Sequence, residues 1–154
     1  MNKFSDAAGN WLFYAWAVSV VATLGSLYLS EIVHFVPCSL CWFQRICMYP
    51  LVWLLGVASA KRNGGIAIYA LPLVGIGAAV SGYHIYIQEM PSQAVGVACG
   101  PTSCVTDVLN AFGFLTVPML ALTAFAFIGF CLVMARRATR ATVSEDRPTK
   151  GGLE

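Results

Sequence analysis

The sequence predicts an all-α fold, an integral membrane four-helix bundle with both termini cytoplasmic, on three observations. Of 154 residues, 58% are hydrophobic and only 10% charged, against roughly a quarter charged in soluble domains. The mean hydropathy is +0.74. The apolar residues gather into four runs, each near the ~20 residues a helix needs to cross a bilayer. Finally, eight of the nine basic residues fall on one side if four spans alternate. A formal net charge of +2 is too small and too scattered for a nucleic-acid surface.

The first span is expected over about 11–30, without a charged residue, and is read as retained rather than as a cleaved leader. The second covers about 42–60 and holds one charge, Arg45, a turn from its start. The third runs over about 65–87 and the fourth over about 113–135, both uncharged. Helices are required because lipid cannot satisfy open backbone groups, and Pro50, Pro72 and Pro118 are then tolerated as kinks. Trp11, Tyr14, Tyr28, Trp42, Tyr83 and Tyr86 lie near span ends, where amphipathic rings prefer the interface. Gly75, Gly77, Ala78, Ala79, Ser81 and Gly82 form a small-residue stripe suited to close helix packing. Residues 1–140 are read as the membrane domain, and 141–154, polar with Pro and paired Gly, as a disordered cytoplasmic tail.

Lys3 precedes the first span, Lys61 and Arg62 separate the second from the third, and Arg136, Arg137, Arg140, Arg147 and Lys150 follow the fourth. The positive-inside rule makes that side cytoplasmic and turns the loops near 31–41 and 88–112 outward. Four of the six cysteines fall in those loops, as Cys38-Ser-Leu-Cys41 and Cys99-Gly-Pro-Thr-Ser-Cys104. Disulfides persist on that side of a membrane. A bridge closing so short a loop stabilises a bundle by only about 2 kcal/mol in the entropy model, and short Cys-x-x-Cys bridges are typical of thiol oxidoreductases. Two redox-active pairs forming a relay are therefore expected.

The first pair has the stronger setting. Cys41 is expected at a helix N-terminus, where the macrodipole stabilises a thiolate, and Arg45 lies at i+4 from it. An arginine within a span is a functional candidate by default. In the second pair, Gly100 and Pro101 favour a turn that brings Cys99 and Cys104 within bridging distance, and 105–112 is expected as a short surface helix. Cys47 and Cys131, inside spans, are expected to be inert apolar fillers. His84 is placed at the depth of Arg45, either packing or serving a cofactor. No metal site is expected: Trp42 follows Cys41 where haem attachment needs His, and the oxidising location disfavours zinc held by two cysteine pairs.

The run Pro37-Cys38-Ser39-Leu40-Cys41-Trp42-Phe43-Gln44-Arg45, continuing to Pro50, resembles the signature of the DsbB disulfide-bond formation family, nearest its short-loop BdbC-like branch. The likeness extends through Tyr83-His84 to Pro91, the second cysteine pair, and Phe112 to Pro118. It implies a quinone-linked thiol–disulfide oxidoreductase of the bacterial cytoplasmic (inner) membrane. Such a protein re-oxidises a soluble thioredoxin-fold, DsbA-like dithiol oxidase and passes electrons to ubiquinone or menaquinone. Carried over, Cys99 receives the partner's thiolate, Cys104 then attacks Cys38, and Cys41 is freed as the thiolate facing the quinone, with Arg45 and His84 beside it. The tight Cys99–Cys104 spacing departs from the long inter-cysteine loop of the better-known branch. Two other classes remain: a vitamin K epoxide reductase-like relay, whose membrane Cys-x-x-Cys lies late in the bundle rather than before the second span, and a non-catalytic scaffold with structural bridges.

Overall fold

The computed structural model describes residues 3–32, 34, 38–62, 64–65, 67–89 and 116–145. Its elements are α1 (Lys3–Glu31), α2 (Ser39–Ala60), α3 (Ala67–Glu89) and α4 (Val117–Glu145). No strand occurs among the described residues. All four helices are long and apolar enough to cross a membrane.

Each helix packs against its neighbours in chain order, and α4 closes the ring on α1. Side-chain contacts fix an up-and-down arrangement. Arg45 near the start of α2 reaches Ser26 and Ser30 near the end of α1. At the other end, Arg62 lies beside Gly9. Between α3 and α4, Gly77 faces Phe125 and Gly129 faces Val74. The expected four-span bundle is thus found, with most helix bounds within four residues of expectation but α1 starting eight residues earlier and α4 ending ten later.

The bundle interior is one apolar cluster that includes Leu12, Met48, Leu51, Leu55, Val74, Phe125, Ile128 and Leu132. Cys47 and Cys131 sit in it as apolar filler, as their positions within spans led one to expect. The outside is apolar as well: Trp53 is 79% exposed, Val21 70% and Tyr69 69%. In water such a surface would drive aggregation; in a bilayer the acyl chains solvate it. The small-residue stripe on α3 is used at one point above all. A Cβ added to Gly77 would collide with the tip of the Phe125 ring, so glycine lets that buried ring come close to the α3 backbone.

Pro50 and Pro72 both lie inside continuous helices. Pro118 instead occupies the first turn of α4, because the helix starts at Val117 rather than near 113. Proline is at home there, since first-turn amides have no intrahelical acceptor to lose. The Thr116 carbonyl accepts from the Met119 and Leu120 amides and opens the helix. At its far end α4 continues to Glu145, five residues into the segment read from sequence as a disordered tail. Residues 141–145 alternate Ala, Thr, Val, Ser and Glu, none of which breaks a helix already running through Arg140. The short helix expected over 105–112 and the tail beyond 145 lie outside the described residues.

Lys61 and Arg62 in the α2–α3 turn share one end of the bundle with Arg136, Arg137 and Arg140 on α4. Cys38 and Cys41 are at the opposite end, where α2 begins and α3 ends.

Candidate active site

Cys38 is the residue that starts α2. Its backbone is extended (φ −69°, ψ 168°), its carbonyl accepts from Trp42, and its side chain accepts from the Cys41 amide at 3.4 Å. Those are the features of an N-cap, with sulfur in the place usually taken by a serine or aspartate oxygen. Cys41 is the third helical residue, so the spacing Cys-x-x-Cys itself aims its N–H at the first cysteine. The two sulfurs lie 3.0 Å apart as unbridged thiols.

From α3, His84 brings Nε2 to 3.8 Å from the Cys38 sulfur. Its other ring nitrogen, Nδ1, lies 3.5 Å from Gln44 Nε2 on α2. All four side chains are buried: Cys38 and Gln44 are 6% exposed, Cys41 8% and His84 2%. Leu40, Ile87 and Val80 pack around the cysteines and exclude water. The site is therefore a buried cluster between the start of α2 and the end of α3, containing two thiols, an imidazole and an amide.

This environment acts most strongly on Cys38. The Cys41 thiol, donating to the Cys38 sulfur, favours its thiolate; burial opposes, and His84 and the Cys41 amide favour it further. The balance pulls the Cys38 thiol down from 9.0 to about 4. The sequence reading put the stabilised thiolate on Cys41, from the helix dipole and Arg45. The geometry turns the helix N-terminus toward Cys38 instead, because an N-cap receives the first-turn donors and a residue inside the turn supplies them.

Arg45 also takes a direction that its i+4 spacing from Cys41 does not reveal. Its Nη2 donates to the Ser26 carbonyl at 3.0 Å and to the Ser30 hydroxyl, both on α1. Its guanidinium carbon lies 5.8 Å from the centre of the Trp42 ring, within cation–π reach. Arg45 thus clamps α1 to α2 one turn below the cysteines, while His84 is the α3 group that meets the sulfurs. Among the named site residues, Cys38, Cys41 and His84 come together; Cys99 and Cys104 lie outside the described residues.

Gln44 had no role from sequence. It is three residues from Cys41, on the same helix face, and a polar amide in an otherwise apolar stretch facing a neighbour's histidine was the available signal. Ser26 and Ser30, as ordinary interfacial serines, carried none.

The family model described as "Disulfide bond formation protein DsbB" matches residues 9–137. Curated relatives agree. "Probable disulfide formation protein C 1" of Bacillus anthracis is 52% identical over 121 residues, 78% of this chain and 87% of its own. "Probable disulfide formation protein C" of Halalkalibacterium halodurans is 43% identical over 134 residues, covering 86% of this chain and 98% of its own. "Probable disulfide formation protein" of Coxiella burnetii (strain RSA 493 / Nine Mile phase I) is 44% identical over 126 residues, 80% and 86% of the two chains. No solved structure matches significantly. With four membrane-length helices and a buried dithiol at one end, this multi-pass membrane protein belongs to the DsbB family of disulfide bond formation proteins.

Proposed function

We propose that the chain is a quinone-linked thiol–disulfide oxidoreductase that re-oxidises a DsbA-like thioredoxin-fold dithiol oxidase outside the bacterial cytoplasmic membrane, and so sustains disulfide formation there. The observation that carries this reading is the Cys38 environment. A thiolate stabilised by the neighbouring thiol, an amide and an imidazole favours the reduced pair. The corresponding disulfide is then a stronger oxidant, which a protein that must oxidise another strong oxidant requires.

The proposed relay balances at each step. The partner's dithiol loses two electrons and two protons to the Cys99–Cys104 disulfide, through a mixed disulfide at Cys99. Cys104 then attacks Cys38 of the Cys38–Cys41 disulfide, releasing Cys41, which takes up the proton that Cys104 gives up. Attack by Cys99 on Cys104 of that mixed disulfide restores the outer bridge and leaves Cys38 and Cys41 reduced. Cys38 is the favoured leaving group of this last exchange, since a thiol of lowered pKa departs faster.

A quinone, when bound, supplies the two-electron acceptor for the Cys38–Cys41 dithiol. The residues at this end of α2 fit such a group. Arg45 offers a cation and donors for carbonyl oxygens, and Trp42 and Phe43, 53% and 57% exposed, offer flat apolar surface open to lipid. Arg45 and His84 are the residues that would hold it, from α2 and α3. Arg45 would bind its polar head, and His84 holds a hydrogen bond at the Cys38 sulfur. Lys61, Arg62, Arg136, Arg137 and Arg140, at the end of the bundle away from Cys38 and Cys41, support outward-facing redox loops.

The reading is tested by anaerobic turnover of purified protein in detergent, with a reduced thioredoxin-fold dithiol protein as donor and a soluble quinone as acceptor. Quinol should form with the wild type and not with Cys41→Ser or Cys104→Ser. Undiminished quinol formation in Cys41→Ser would remove the relay.

A further inference from the structure

The cluster brings together two soft sulfur donors and one imidazole nitrogen, a set that thiophilic metal ions select. The two cysteine sulfurs and a ring nitrogen of His84 all lie within 4.8 Å of one another. A tetrahedral zinc ion with its usual Zn–S and Zn–N bonds would set sulfurs about 3.8 Å apart and sulfur and nitrogen about 3.6 Å apart. The Cys38 sulfur is already 3.8 Å from His84 Nε2. The sulfurs, at 3.0 Å, need only part by less than an ångström, a small χ1 adjustment.

Two further observations point to a cation. His84 turns Nε2 toward the sulfurs and keeps Nδ1 against the Gln44 amide. A metal-bound histidine almost always donates its remote N–H to such a polar partner, which fixes the ring. With its amide turned to present Oε1, Gln44 accepts that proton. Second, the charge closes. Two thiolates, a neutral imidazole and a divalent ion sum to zero, and a neutral complex is what the apolar surround of Leu40, Ile87 and Val80 accommodates without a large desolvation cost.

We propose that the reduced Cys38–Cys41 pair and His84 form a binding site for a thiophilic divalent cation, Zn²⁺ or Cd²⁺, that the disulfide form of the pair does not offer. Binding exchanges the remaining thiol protons for the ion and involves no change of oxidation state. The disulfide has no thiolate and therefore no anionic donor. The donor set differs from the four-cysteine zinc site set aside from sequence: one cysteine pair and a histidine from the facing helix supply three ligands, and a water entering with the ion completes the tetrahedron. The consequence is redox-gated inhibition, in which such cations capture the dithiol and leave the oxidised protein untouched.

The test uses Cd²⁺ on the full-length protein in detergent, with Cys99→Ser and Cys104→Ser removing the other pair. Thiolate-to-cadmium ultraviolet absorption should titrate to one ion per chain in the reduced sample and be absent after oxidation with diamide. His84→Ala and His84→Asn each remove a ligand and should weaken binding by more than the roughly 10–100-fold that loss of an outer-shell partner costs. His84→Cys should restore it. Equal binding by the oxidised sample, persistence in Cys38→Ser/Cys41→Ser, or indifference to both His84 changes would each overturn the proposal, as would no binding at all. The readout involves neither quinone nor partner, so it stands or falls separately from the proposed electron relay.

Discussion

The pull on the Cys38 thiol can be read by alkylation. The perturbation is pH, applied to reduced Cys41→Ser/Cys99→Ser/Cys104→Ser protein. Cys38 is then the reactive thiol: it is no more exposed than Cys47 (6% against 8%), but it is held as a thiolate, whereas Cys47 and Cys131 lie among the apolar side chains of the bundle core. The serine hydroxyl replaces the Cys41 thiol as donor to the Cys38 sulfur. In the native pair, with Cys38 at about 4 rather than 9.0, the thiolate fraction at pH 6 is about a thousandfold above that of an ordinary thiol, which is the upper limit for the serine variant. Each thiolate is a weaker nucleophile, by a Brønsted slope of about 0.4–0.5 per pKa unit, or about two orders of magnitude over the full shift. The net advantage at pH 6 is therefore only about three- to tenfold, so the pH profile is the sharper signal. The alkylation rate should be flat above about pH 6 and fall below it, with a midpoint far under 7. Cys41→Ala, which removes the largest favourable contribution, should move the midpoint upward. A rate that climbs steadily to pH 9 in the serine variant, unchanged by Cys41→Ala, would refute the N-cap account of this site.

Three further outcomes follow from the same geometry. Because the folded-state pKa of Cys38 is depressed, its thiolate stabilises the reduced protein fully above the unfolded value and loses that contribution as pH falls through about 4. The melting temperature of the reduced protein relative to the oxidised should accordingly rise from pH 5 to pH 8, and a fall would contradict the sign. Gly77→Val should destabilise by about 1–3 kcal/mol through overpacking against Phe125, with Phe125→Leu in the same chain recovering part of it; thermal unfolding in detergent reads both, and strictly additive losses would argue against the contact. Arg45→Leu removes the charged donor to Ser26 and Ser30. It should cost about 1.5–3 kcal/mol per lost hydrogen bond to a charged group, and raise the KM for quinone more than it lowers kcat; an unchanged melting temperature would show that the clamp is not made.

Much of this molecule is legible from its sequence, for a physical reason. Lipid demands long apolar helices with satisfied backbones, so the runs around Trp11–Ser30, Trp42–Ala60, Gly65–Ile87 and Gly113–Ala135 leave little choice of fold. Boundaries are softer, because a helix extends past the apolar run until something stops it. That is why α1 begins at Lys3 and α4 continues to Glu145. The cysteine pair and His84 were identifiable as candidates by residue type, and His84 in particular by being ionisable within a span. What spacing could not give was direction. Arg45 at i+4 from Cys41 does lie close enough to act on it electrostatically, but its hydrogen bonds run sideways to α1, which offers a carbonyl and a hydroxyl. The choice between Cys38 and Cys41 as the stabilised sulfur depends on which residue caps the helix, a matter of one backbone conformation. Gln44 becomes visible only once α3 is seen to bring His84 against it.

The central claim is that two cysteine pairs in one chain deliver electrons to a quinone, and its most direct measure is a count. Protein reduced chemically, freed of reductant under anaerobic conditions and mixed with excess quinone should yield two quinols per chain for the wild type. Cys99→Ser/Cys104→Ser should yield one, and Cys38→Ser/Cys41→Ser none, since the outer pair would have no route to the acceptor. Two quinols from the wild type and still one from Cys38→Ser/Cys41→Ser would mean that the outer pair reaches the quinone directly, and the relay through the α2 cysteines would have to be abandoned.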